Sequence, residues 1–176
     1  MPRPRIVRAA AIASAVVVAV AAWVLGSPLF IRTSANEAAP TPAATAPATY
    51  EALPTATLGT TATPVGTTTV ARGDLQYVDA IHNGKGGVTL IRLGDRYALR
   101  FEDVAITNAP DVHVYLSRET GGKWTEATSL YLGPLKATNG SFNYDVPAGT
   151  DVAPYRSVVV WCRAFAVLVT WADLRA

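Results

Sequence analysis

Ser157-Val158-Val159-Val160-Trp161-Cys162-Arg163-Ala164-Phe165-Ala166-Val167-Leu168-Val169 is the most apolar β-branched run of the chain and holds its only cysteine. Residues 156–170 contain no Gly, Pro, Asn or Asp, and one straight strand over them would extend about 50 Å at roughly 3.3 Å per residue. A folded part of this size is only about 33 Å across, given a radius of gyration of roughly 13 Å. The run must fold back, and Arg163-Ala164 is its only polar break. The reading is two Val-rich strands of one hairpin or corner.

Period two then decides where the thiol points, because successive side chains of a strand alternate between faces. Val158, Val160, Cys162 and Ala164 share one face; Ser157, Val159, Trp161 and Arg163 share the other. The wholly apolar face carries the cysteine, so Cys162 is expected to be buried and Trp161 to lie on the opposite side.

Outward from this hairpin, residues 73–176 show short strands and turn signals without a helical period. A first strand is predicted over 74–82, with Asn83-Gly84-Lys85-Gly86-Gly87 as its turn. A hairpin follows over 88–101 about Gly94-Asp95. Residues 111–116 alternate, with Val112, Val114 and Leu116 on one face and His113 and Tyr115 on the other. Gly121-Gly122 marks a loop, 125–132 is ambiguous, and Gly133-Pro134 reads as a break. Asn139-Gly140-Ser141 fits an N-glycosylation pattern but reads more simply as a hairpin turn, before a strand over 141–146 and a Pro147-Ala148-Gly149 turn. About eight short strands at this spacing predict an all-β fold, an antiparallel β-sandwich.

The remaining 72 residues differ in kind. Residues 1–8 carry Arg3, Arg5 and Arg8, and residues 9–26 then hold only Ser14 as a polar residue. Continued to Ile31 the stretch is 23 residues, or about 35 Å at 1.5 Å per residue, enough for a hydrocarbon core of about 30 Å. Its basic flank predicts a single-pass signal anchor over 9–31, with a cytoplasmic N-terminus and the rest of the chain outside. A cleaved signal peptide is the alternative, but an h-region is usually shorter. Residues 36–71 hold eleven Thr, ten Ala and five Pro, a composition that predicts a disordered linker over 32–72.

Charge excludes one class of partner. Residues 73–176 carry three Lys and seven Arg against eleven acidic residues. A folded part that is nearly neutral lacks the basic patch that nucleic acid requires. The expected partners are the membrane, through one helix, and an unidentified redox partner or cell-surface ligand.

Candidate chemistry centres on few residues. One cysteine cannot make an internal disulfide, so Cys162 is either a small buried hydrophobe or a redox or ligating thiolate, which needs a lowered pKa or a metal beside it. His82 and His113 are the candidate cofactor-binding residues. Two His and one Cys make the ligand set of blue copper, yet Met1 is the only Met and no His follows Cys162, so no metal site is predicted. Glu102, Asp103 and Asp111 lie near strand ends, where turn capping is favoured over calcium. No hydrolase or phosphate-loop motif is present, and enzyme activity in that sense is not expected.

Taken in order, several blocks resemble the electron-transfer DM-thirteen domain family: His82 with its Gly-rich turn, Leu99-Arg100-Phe101-Glu102-Asp103, Asn108 through Leu116, Leu132-Gly133-Pro134-Leu135-Lys136, Asn143-Tyr144-Asp145-Val146-Pro147, and Val159-Val160-Trp161-Cys162 onward to Leu174. The resemblance covers residues 73–174 and neither the anchor nor the linker. It implies an extracytoplasmic β-module whose cysteine, matched by Cys162, acts in electron transfer as a bare thiol or as a ligand to a prosthetic group such as haem; His82 and Asp111 match other signature positions. The cofactor is therefore haem or none. Ala109, Val104 and Thr170-Trp171 depart from the family pattern, which alters the surroundings of Cys162. The alternative is a non-enzymatic cell-surface binding or adhesion module in which Cys162 is core packing.

Overall fold

The computed structural model describes residues 12–21, 23, 32–42 and 66–176. The Val-rich run forms two strands as read, β8 over Ser157–Cys162 and β9 over Val167–Asp173, joined by a turn at residues 163–166. Seven strands precede them among the described residues: β1 (Ser34–Asn36), β2 (Thr67–Asp74), β3 (Gly84–Leu93), β4 (Arg96–Ile106), β5 (Val112–Ser117), β6 (Ser129–Pro134) and β7 (Asn139–Val146). They make two facing sheets, one ordered β1-β7-β4-β3-β2 and the other β6-β5-β8-β9. The chain is all-β with the layout of a β-sandwich, and every strand pair is antiparallel except β1 on β7.

Alternation fills the space between the sheets. Val88, Leu90, Leu99, Phe101, Phe142 and Tyr144 come from the larger sheet, and Val114, Leu116, Val158, Val160, Cys162 and Val169 from the smaller, all in one buried cluster. Phe101 and Phe142 stack with centroids 5.1 Å apart, and Tyr144 meets Phe101 edge-on at 5.8 Å. Such ring pairs add to plain area burial. The hairpin about Gly94, which takes φ +72°, runs longer than the periodicity indicated because both of its strands continue into paired bulges. Gly86 at φ +108° faces Asp103 at φ +47° there.

Four expectations are corrected. The strand expected over 74–82 is instead β2 over Thr67–Asp74, and 84–87, expected as its turn, open β3. Residues 79–83 turn instead, because the Asp79 carboxylate accepts the Ile81 and His82 N–H groups at 2.7 and 2.6 Å, a local alternative to ladder pairing. Asn139-Gly140 is not a hairpin turn: it opens β7, with Gly140 at φ +103° where the register against β4 shifts. Gly133-Pro134 does not break a strand but ends β6, an edge strand on which a missing N–H costs no ladder bond.

The fourth concerns 32–72, expected as a continuous disordered linker. Both its ends are strands. Ser34, Ala35 and Asn36 pair with Asn139, Gly140 and Ser141, and Thr67-Thr68-Thr69-Val70 is a β-branched run that pairs with β3. The Thr/Ala/Pro-rich residues around these short strands mask their signal in the composition. Residues 43–65 lie outside the described residues.

Of the expected membrane span, residues 12–21 and 23 are helical, while 9–11, 22 and 24–31 lie outside the described residues. Among the described residues no helix is long and apolar enough to cross a membrane.

Candidate functional site: a sealed cysteine and an aromatic face

Cys162 ends β8, where its backbone pairs with Val112 of β5 and Val167 of β9. Its side chain points inward as the alternation required and is 0% exposed, within the main apolar cluster. The turn beyond it is pinned by the Arg163 N–H donating to the Asp111 carbonyl at 2.8 Å, and Ala166 takes φ +52°.

His113 lies on β5 one residue beyond Val112, so it projects from the opposite face of the same sheet. A histidine on an outer sheet face is ordinarily open to solvent. Instead His113 is only 8% exposed, held by Asp111 Oδ1 2.6 Å from Nε2 and by the Tyr131 hydroxyl 2.9 Å from Nδ1. His82 sits in the turn before β3, where its Nδ1 is 2.8 Å from Asp79 Oδ2. The imidazole hydrogen bond, followed by the two backbone N–H bonds, holds the Asp79 carboxyl down at about 2.

Cys162, His82 and His113 are therefore not brought together. Among the described residues no group of three or more His, Cys, Asp or Glu is arranged to hold a metal ion. The acidic candidates have local work: Glu102 accepts from Arg100 at 2.9 Å, Asp103 receives the Ser141 hydroxyl, and Asp111 holds His113. Cys162 is sealed and both ring nitrogens of His113 are engaged, so these two residues do not fit as ligands of a haem. Among the described residues, clefts of about 490, 500 and 280 Å³ open on the surface, and Cys162, His82 and His113 border none of these.

The outer face around His113 joins residues that the alternation placed there, Tyr115 and Trp161, to two that it left unassigned, Trp124 and Tyr131. Tyr115 follows on β5 and pairs in register with Tyr131 of β6, their ring centroids 5.3 Å apart. Trp124, from the loop before β6, lies 4.5 Å from Tyr115 and 5.0 Å from Trp161. The Arg163 guanidinium sits 4.7 Å above the Tyr131 ring and its Nε donates to the Tyr115 hydroxyl at 2.8 Å. That bond is the main reason its pKa is raised. Period two had already put His113 with Tyr115, and Trp161 opposite Cys162. Tyr131 fell in the ambiguous stretch, and nothing local told that Trp124 folds over the sheet.

A family model described as Electron transfer DM13 matches residues 76–174. No curated protein and no solved structure matches the chain. The matched region is more than half of the chain and takes in β3 through β9, Cys162, both histidines and the aromatic face. The chain thus belongs to the Electron transfer DM13 family.

Proposed function

We propose that this chain is an electron-transfer module held at the outer surface of a membrane by residues 9–31, with Cys162 as its redox position. Membership of the family is the observation that carries this reading. The apolar run and its basic flank support the anchor. Docking of Thr33 through Ala38 on the larger sheet leaves only Arg32 between the proposed span and the fold. The domain then lies directly against the bilayer, and 39–66 is an excursion between β1 and β2, not a spacer. These strands lie on opposite edges of one sheet, about 19 Å apart over four strand spacings of about 4.8 Å.

A sealed thiol limits the chemistry. Joining two thiols as a disulfide releases two electrons and two protons. With one cysteine, the second sulfur and the electron acceptor must both come from a partner, and the turn at 163–166 must open to admit them. The test is thiol labelling of the native full-length chain, together with electron uptake from membranes of its own host by wild type and Cys162→Ala. Labelling without unfolding, and uptake lost in the variant, are expected; a thiol inert until unfolding and undiminished uptake overturn the cysteine role.

The second reading is a surface binding or adhesion module, favoured by the 0% exposure of Cys162 among apolar neighbours. Under it Cys162→Val leaves surface binding unchanged.

A further inference from the structure

We propose that Tyr131, hydrogen-bonded to His113 and through it to Asp111, is a proton-coupled redox site on the outer face of the small sheet. This deepens the electron-transfer reading and rests on it, but it does not need Cys162.

The hydrogen-bond chain has a direction. A carboxylate only accepts, so Asp111 Oδ1 at 2.6 Å takes the Nε2–H of His113. This assigns the neutral ring its proton on Nε2 and leaves Nδ1 as the acceptor for the Tyr131 O–H at 2.9 Å. Asp111 thus positions the imidazole as a base for the phenol, the arrangement a proton acceptor requires.

Two further observations lift this above an ordinary satisfied histidine. Tyr131 is 42% exposed, so solvent could satisfy its hydroxyl without His113. The Arg163 guanidinium 4.7 Å over its ring disfavours a cationic ring, so electron loss is favourable only if the proton leaves with it. His113 is placed to receive that proton.

The ring also stands in a continuous series. Tyr131 to Tyr115, Tyr115 to Trp124 and Trp124 to Trp161 are separated by 5.3, 4.5 and 5.0 Å between centroids. Trp161 is bonded in sequence to Cys162. Short steps between oxidisable rings therefore connect the sealed end of β8 with an exposed phenol.

The step balances with an external one-electron oxidant of the metal-complex class. Tyr131 gives that oxidant one electron; its O–H bond breaks and an Nδ1–H bond forms on His113. The products are a neutral phenoxyl radical, an imidazolium whose Nε2–H remains on Asp111, and the oxidant reduced by one electron. One-electron reduction returns the proton to Tyr131.

The test uses the purified full-length chain with photogenerated tris-bipyridyl ruthenium(III), reading the phenoxyl absorption and its paramagnetic resonance. A phenoxyl signal is expected in Tyr77→Phe, which silences the more exposed ring, and in Tyr77→Phe with Cys162→Ala, and it should fall sharply when Tyr131→Phe is added, which removes one hydroxyl from a half-exposed ring. His113→Gln should slow phenoxyl formation on the order of 100-fold, the usual worth of a positioned base. Asp111→Asn, a milder change, should slow it less. Formation in wild type should be slower in D2O than in H2O, and this dependence should disappear in His113→Gln. A signal undiminished by Tyr131→Phe in the Tyr77→Phe background, or a rate indifferent to both His113→Gln and Asp111→Asn, overturns the proposal. If the phenoxyl behaves as expected while Cys162→Ala keeps full uptake from host membranes, the cysteine role fails and the tyrosine site stands.

Discussion

Tyr144 shows how one side chain ties the two sheets. Its hydroxyl accepts the Lys136 N–H and donates to the Pro134 carbonyl, both at 2.9 Å, and burial pushes its pKa up. Tyr144→Phe keeps the ring against Phe101 but orphans the Lys136 N–H, so a loss of about 1–3 kcal/mol is expected, read as a lower urea midpoint with unchanged slope. At Cys162 the removed sulfur leaves a void in a packed interior, and Cys162→Ala should cost about 1–3 kcal/mol. That loss must be subtracted before any change in electron uptake is assigned to chemistry. Asp79 gives a pH-dependent outcome. Its carboxyl is held at about 2 against an ordinary 3.8, chiefly by His82. The stabilisation of the 79–83 turn is therefore complete above 3.8 and lost as pH falls through about 2. Amide exchange at Ile81 and His82 should accelerate across that window while the β4 amides stay protected.

At the scale of elements, β1 is three residues that would not hold as an isolated strand. Thr33 and Thr138 exchange hydrogen bonds through backbone and hydroxyl groups at 3.0 to 3.1 Å. Arg100, buried on the outer face of β4, donates to the carbonyls of Glu37 and Ala38. Partial burial raises the Glu37 carboxyl, but the Asn143 N–H and Lys136 outweigh it and its pKa is lowered overall. The pairing also needs Gly140, whose φ of +103° suits no other residue and where a Cβ would collide with the Ala35 carbonyl. Gly140→Ala should release β1 while the sandwich stays folded, seen as faster amide exchange at Glu37, whose N–H otherwise donates to Ser141 O at 2.7 Å.

For the whole molecule, the strands on either side of 43–65, β1 and β2, are held on the two edges of one sheet. Loop-closure entropy changes by only about 0.6 kcal/mol per doubling of length. Replacing 43–65 with about ten Gly/Ser residues, enough for the roughly 19 Å between sheet edges, should shift stability by less than about 1 kcal/mol, checked by thermal unfolding of both full-length forms. A shift of several kcal/mol would mean that this stretch packs on the sandwich.

Some of this was legible in the order of residues. The run 157–169 fixed its own fold-back because no strand that long fits so small a domain, and alternation within it aimed Cys162 inward and Trp161 outward. The Gly94 hairpin and the β5 alternation were equally local, and the ordered blocks carried the family. Other features depend on which segments meet. Thr67–Asp74 is a strand because β3 lies beside it, and Asn139-Gly140 is strand and not turn because β1 and β4 occupy its two sides. Whether a cysteine and two histidines share a site depends on which faces of which strands they occupy, and the sandwich put Cys162 inside, His113 outside and His82 in the turn before β3. The Tyr131, His113 and Asp111 chain exists only because β6 pairs with β5 in a register that sets Tyr131 across from Tyr115. Period two tells which face a side chain takes, but only pairing in three dimensions tells what stands opposite it.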